Sequence, residues 1–225
     1  MRVYQFLILY VATTTVCPVI LYFRHHSTFS TVHIALAFFL NLNFLICLWE
    51  ISLGLNITKI AADSQSLTKK YEKRKLDAVV DLMMHKLNLA ESVSLKFWSR
   101  IWSTYSLYDP SYSNRESFGF FIDVGNGWTT IIPTVLFLYS ITYHDGGPFD
   151  ARVIGMIGLV KFYQEFYGTC IYFLSFFMNK RHAGKSFLEV FVFVGVSNGI
   201  WFFFPLLGIY ISVEMIKSNT FNVLI

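Results

Sequence analysis

Six ionisable side chains fall inside long apolar stretches of this sequence: Glu50, Asp123, Lys161, Glu165, Glu189 and Glu214. A charge in hydrocarbon is expensive and is kept for a partner or a function. Asp123 lies well inside its stretch. Asn126 is three residues on and shares its helical face, while Gly125 and Gly127 permit close approach of another helix. Burial in apolar surroundings disfavours the charged form of a carboxyl, so such a group can hold a proton at neutral pH and deliver it as a general acid. Asp123 and Glu50 are the candidate pair for this chemistry. Glu50 is also near enough to the end of its stretch to sit at headgroup level. Lys161 and Glu165 are four apart on one helix and can simply neutralise each other. Glu189 and Glu214 are close enough to the ends of their stretch to reach water. Asn198 and Trp201, three apart, share another face. The amide of Asn198 needs protein or ligand around it, and the Trp201 ring can face a cation, worth about 2 kcal/mol when desolvated, or pack as an interfacial aromatic.

Membrane helices are the elements that must position these groups. The chain has 225 residues, 55% hydrophobic and 14% charged, with a mean hydropathy of +0.51. A soluble domain carries about 25% charged residues, so the composition indicates an integral membrane protein. Apolar runs of about 18 residues or more predict spanning helices at Val3–Phe23, Val32–Asn56, Ser117–Tyr143, Val153–Met178 and Phe187–Ile216. The expected fold class is therefore all-α, an integral membrane five-helix bundle. The first run is too long for a signal-peptide core and lacks a small-x-small cleavage site, so it reads as a retained span.

The segment order is two spans in 1–56, an inserted basic loop helix in 57–97, a core with three spans in 98–216, and a tail at 217–225. The insertion carries Lys69-Lys70-Tyr71-Glu72-Lys73-Arg74-Lys75, five basic residues in seven. Leu76, Val80, Met83 and Leu87 follow at helical spacing, which predicts an amphipathic helix. A basic amphipathic helix lies on an anionic membrane surface or caps the end of its own bundle. Residues 66–92 are also the expected docking element for a second copy or a membrane-complex partner. No groove-reading motif is present, and no nucleic-acid partner is expected. Cys17, Cys47 and Cys170 lack metal or redox spacing, and the six histidines form no ligand pattern, so neither a metal nor a cofactor is expected. Arg2, the long loop, Lys180, Arg181 and Lys185 fall on one side of the membrane and Arg24, Arg152 and Lys217 on the other, a bias that places the N-terminus in the cytoplasm.

Several short segments resemble the EXPERA-domain family, which includes the emopamil-binding protein type of sterol Δ8–Δ7 isomerase and the sigma-2 receptor. Trp102 with Tyr105-Ser106-Leu107-Tyr108-Asp109-Pro110-Ser111-Tyr112 resembles the family's opening WxxYSxxDxxY signature. Leu48-Trp49-Glu50, Tyr167-Gly168-Thr169-Cys170-Ile171-Tyr172-Phe173-Leu174 and Ser197-Asn198-Gly199-Ile200-Trp201 with Pro205 resemble further family segments, in family order. Asp123 falls where the family keeps an acidic residue. The similarity runs from about residue 40 to 216, excluding an insertion at about 58–97.

The resemblance implies a pocket for a sterol or sterol-like lipid in the endoplasmic reticulum membrane. Asp123 and Glu50 would be the acid–base pair, and Asn126, Trp201, Asn198, Glu165, Thr169 and Tyr172 would hold the substrate. It also implies a lumenal Asp109 loop, opposite to the charge bias. The sequence departs from the isomerase pattern at Ile46, where the isomerase has histidine, and at Ser111, where it has arginine. These departures lean towards a lipid binder without turnover; a structural subunit of a membrane assembly is the third reading.

Overall fold

The computed structural model describes residues 1–72 and 74–224; Lys73 of the basic run lies outside them. Every extended element among the described residues is helical. The ten α-helices are α1 (Val3–His26), α2 (Thr31–Leu55), α3 (Ile57–Lys70), α4 (Lys75–Met84), α5 (Leu89–Ser92), α6 (Leu95–Tyr105), α7 (Phe118–Thr129), α8 (Ile131–Tyr143), α9 (Ala151–Met178) and α10 (Phe187–Ser218).

Three of these, α1, α2 and α10, are long and apolar enough to cross a membrane, and the number is four if α7 and α8 count as one broken span. This is the character of an integral membrane protein. On α1 the side chains of Ile8, Leu9 and Val16 are exposed, as expected of a helix whose solvent is lipid. The predicted span Ser117–Tyr143 is interrupted at Thr130. Pro133 explains the break: its ring opposes the carbonyl four residues back, which belongs to Thr129, the last residue of α7. The predicted span Val153–Met178 is one unbroken helix of 28 residues, but it carries Arg152, Lys161 and Glu165.

The chain divides into two compact units: Met1–Leu9, Ile46–Trp128 and Ile171–Asn198 form the first, and Tyr10–Leu45, Thr129–Cys170 and Gly199–Ile225 the second. In the first, Leu53, Ile60, Trp102, Tyr112 and Phe176 make a core, and Tyr71, Ala78 and Tyr108 a smaller one under the insertion. In the second, Leu36, Phe39, Phe137, Phe162 and Ile211 pack together. Gly155 and Gly158 allow this density: an added Cβ would lie 2.8 Å from the Ser212 carbonyl oxygen at the first and 2.5 Å from the Ser212 hydroxyl at the second.

The predicted amphipathic helix is present as α4, with a different inward face. Ala78 and Leu82 are buried, whereas Leu76 and Val80 are exposed. The helix ends at Met84, and Leu87 lies in the extended link that follows.

Candidate functional site

Glu50 and Asn126 meet in the first unit. Both side chains are buried, and the Asn126 amide donates to Glu50 Oε2 at 2.8 Å. Glycine makes the contact possible. A Cβ on Gly127 would lie 2.8 Å from both the Cys47 carbonyl oxygen and Glu50 Cβ, so α7 lies directly against α2. Gly54 serves the same helix pair from the other side, facing Val124 at 3.0 Å. At Gly125, by contrast, an added Cβ meets nothing within 4 Å, so of the two glycines expected to allow close approach only Gly127 is needed for it.

Asp123, one helical turn before Asn126, is half-buried, and the Tyr112 hydroxyl is its hydrogen-bonding neighbour. Tyr112 is part of an aromatic group. Its ring stacks on Trp102 at 5.1 Å and meets Tyr105 edge-on at 5.3 Å. The Trp102 indole N–H donates to the Trp49 carbonyl oxygen at 2.6 Å, which ties this group to the turn of α2 that carries Glu50.

Asp109 is the hub of the same unit. Its carboxylate is wholly buried and accepts from the Ser111 backbone N–H at 3.1 Å, the Tyr172 hydroxyl at 3.1 Å and Arg181 at 3.0 Å. Arg181 also donates to the Ser111 hydroxyl and, at 2.9 Å, to the Ser175 hydroxyl. The Tyr172 hydroxyl lies 3.0 Å from that of Tyr105, and the Asn198 amide donates to Tyr105 at 3.3 Å and to the Val194 carbonyl oxygen at 2.8 Å. Asn198 follows a π-wound stretch, Phe191–Val196; such stretches alter which side chains face inward and recur at functional sites. Burial pushes the Tyr105 hydroxyl up to about 12 and that of Tyr112 well above the usual phenol range. Both therefore remain neutral hydrogen-bond donors.

Glu165, Thr169 and Trp201 belong to the second unit, where a different network forms. Glu165 Oε1 accepts from Lys161 Nζ at 2.6 Å and from Asn43 at 2.8 Å, and Asn43 Oδ1 accepts from the Trp201 indole N–H at 2.8 Å. The Lys161 ammonium lies 4.5 Å from the centre of the Phe162 ring. Thr169 returns its hydroxyl to the Glu165 carbonyl oxygen at 2.9 Å, satisfying its polar atom within its own helix.

Of the eight expected site residues, Glu50, Asp123, Asn126, Tyr172 and Asn198 thus fall in the first unit and the other three in the second. Sequence reading missed two partners. Arg181 reads as one more loop cation, and Asn43 was visible only as a polar residue inside an apolar run. Among the described residues no group of three or more His, Cys, Asp or Glu is placed to hold a metal ion. No family model, curated protein or solved structure matches the chain.

Proposed function

We propose that this chain is a five-span membrane protein of the EXPERA type that takes a sterol or sterol-like lipid against the Glu50–Asp123 side of its first unit. The observation that carries this reading is the pairing of buried Glu50 with Asn126 on the helical face that also bears Asp123. A second observation supports it: Arg181 brings a guanidinium to Asp109 and Ser111, supplying from another segment the group that the resemblance expects at position 111.

The reaction in this reading is a shift of a ring double bond. A protonated carboxyl gives its proton to one alkene carbon, leaving a carbocation at the other. The second carboxyl, as carboxylate, removes a proton from the adjacent carbon, and the double bond reforms one position along. Atoms and charge balance with no co-reactant. The half-buried Tyr105 ring supplies aromatic surface that favours a cation, and exclusion of water prevents its capture.

Binding without turnover is the second reading, favoured by Ile46, an apolar residue one turn before Glu50 where the isomerase carries histidine. Expression in an isomerase-deficient yeast separates the two. Turnover predicts that the wild type restores Δ7-sterols and that Glu50→Gln or Asp123→Asn does not, each costing at least about a hundredfold as expected for loss of an acid–base group. Persistent Δ8-sterol with the wild type, in membranes where the protein is present, eliminates the isomerase reading.

A further inference from the structure

The insertion carries an apolar face that the described residues leave about half open, with Arg2 touching it only at the Met84 sulfur, 3.3 Å away. On α4, Leu76, Val80 and Met84 follow at steps of four along the outer side, 58%, 45% and 48% exposed. Leu89, which opens α5, and Val93, just past its end, are more exposed still, at 84% and 78%. The inner side is occupied, because Ala78 packs under Tyr71, Leu107 and Tyr108. One helix thus has two apolar faces, and only one of them is buried.

Backbone bonds fix the height of this face. The Val3 N–H donates to the His85 carbonyl oxygen at 3.0 Å and the Leu87 N–H to the Met1 carbonyl oxygen at 2.8 Å, with a two-residue bridge between Arg2 and Lys86. Val3 is the first residue of α1, so the link between α4 and α5 is stitched to the point where a spanning helix begins. The packing agrees: Val3, Phe6 and Leu7 of the first turns of α1 lie against Phe97, Trp98 and Met83. Trp98 stacks on Trp49 at 5.6 Å, and tryptophan favours the membrane–water boundary. Lys69 on α3, Lys86 in the α4–α5 link and Lys96 on α6 are exposed and take part in no ion pair among the described residues, whereas Asp77 and Asp81 on α4 are paired with Arg74 and Lys70.

We propose that α4 and α5 form an interfacial element whose outer face, Leu76, Val80, Met84, Leu89 and Val93, lies in the headgroup layer of the bilayer that α1 crosses, with Lys69, Lys86 and Lys96 bound to anionic lipid. The occupant is the lipid surface itself. An apolar stripe flanked by lysines at that depth matches an acyl boundary beneath negative headgroups. A protein partner would have to compete with a bilayer already at the same level. The inference is independent of the sterol reading and needs only that α1 spans.

The test uses the full chain with Cys17→Ser, Cys47→Ala and Cys170→Ala. A single environment-sensitive nitrobenzoxadiazole label is placed at Val80→Cys, at Leu89→Cys, or at Glu72→Cys as the water-facing control. The protein is reconstituted in vesicles of phosphatidylcholine alone or with phosphatidylserine. The labels at 80 and 89 are expected to be quenched by shallow doxyl lipids and protected from aqueous iodide, with the reverse at 72. Doxyl quenching should rise with phosphatidylserine, and Lys69→Gln, Lys86→Gln and Lys96→Gln together should abolish that rise. Iodide quenching at 80 and 89 in both vesicles overturns the proposal. So does protection from both quenchers, which would mean that protein covers the face, or a phosphatidylserine response that survives loss of the three lysines.

Discussion

Asp109 shows at the scale of one residue what a buried charge requires. Its carboxylate has no access to solvent and is held by a backbone N–H, a tyrosine hydroxyl and the Arg181 guanidinium. Removing one partner of a buried ion pair leaves the other uncompensated, at about 3–5 kcal/mol. Arg181→Ala should therefore lower the stability of the detergent-purified protein by that order. Arg181→Lys should recover only part of it, because an ammonium cannot reproduce the forked contact with Asp109, Ser111 and Ser175. Thermal unfolding of the three proteins side by side checks this; an Arg181→Ala melting curve that overlays wild type contradicts it. The Lys161–Glu165 pair calls for the opposite design. Lys161→Met alone should destabilise, whereas Lys161→Met with Glu165→Leu should recover only part of that loss. Replacing both members of a buried pair by apolar groups removes the desolvation cost along with the attraction, but it also takes the Glu165 acceptor from the buried Asn43 amide, a loss of about 1–3 kcal/mol. A double variant as unstable as the single one would assign the pair a role beyond mutual neutralisation. At this scale the sequence was partly legible. Asp123, Glu50 and Glu165 stand out because ionisable residues are rare in apolar runs. Arg181 does not, because its partner lies 72 residues away and no periodicity links a loop cation to a distant carboxylate.

At the scale of elements, the contact between α2 and α7 decides where Glu50 and Asn126 can meet. Gly127 stands where any side chain would meet backbone on α2, 2.8 Å from the Cys47 carbonyl oxygen and 2.9 Å from the Ile51 nitrogen. Gly127→Ala must push the helices apart, at about 1–3 kcal/mol for overpacking. It should lower the melting temperature and, by stretching the 2.8 Å bond from Asn126 to Glu50, disturb the candidate site as well. Gly125→Ala, whose Cβ has open space, should leave stability nearly unchanged, and equal losses in the two variants would refute the close-contact account. The positions of α1, α2, α9 and α10 followed from hydrophobic runs, because length and polarity are written locally, whereas α3 and α6 lie outside such runs. Two further features were not legible. The break at Thr130 depends on whether Pro133 bends or ends its helix. The inward side of α4 is set by Tyr71, Leu107 and Tyr108, so spacing alone marked an apolar face without saying which of the two would be buried.

At the scale of the molecule, α1, α2, α9 and α10 each contribute residues to both compact units. Segments cut from the sequence in chain order have no way to anticipate that, since an apolar run carries no mark of where one core ends and the next begins. The all-helical class and the membrane-spanning character were legible, because both follow from composition and run length. We propose above that the side of the first unit bearing Glu50 and Asp123 receives a sterol-like lipid. A photoreactive sterol, activated on the purified full-length protein and traced by mass spectrometry of its peptides, tests this most directly. Adducts are expected on α2 and α7 within a turn or two of Glu50 and Asp123, suppressed by excess unlabelled sterol and weakened by Asp123→Asn. Adducts spread over the lipid-exposed faces of α1 and α10, with no competition by unlabelled sterol, would contradict it.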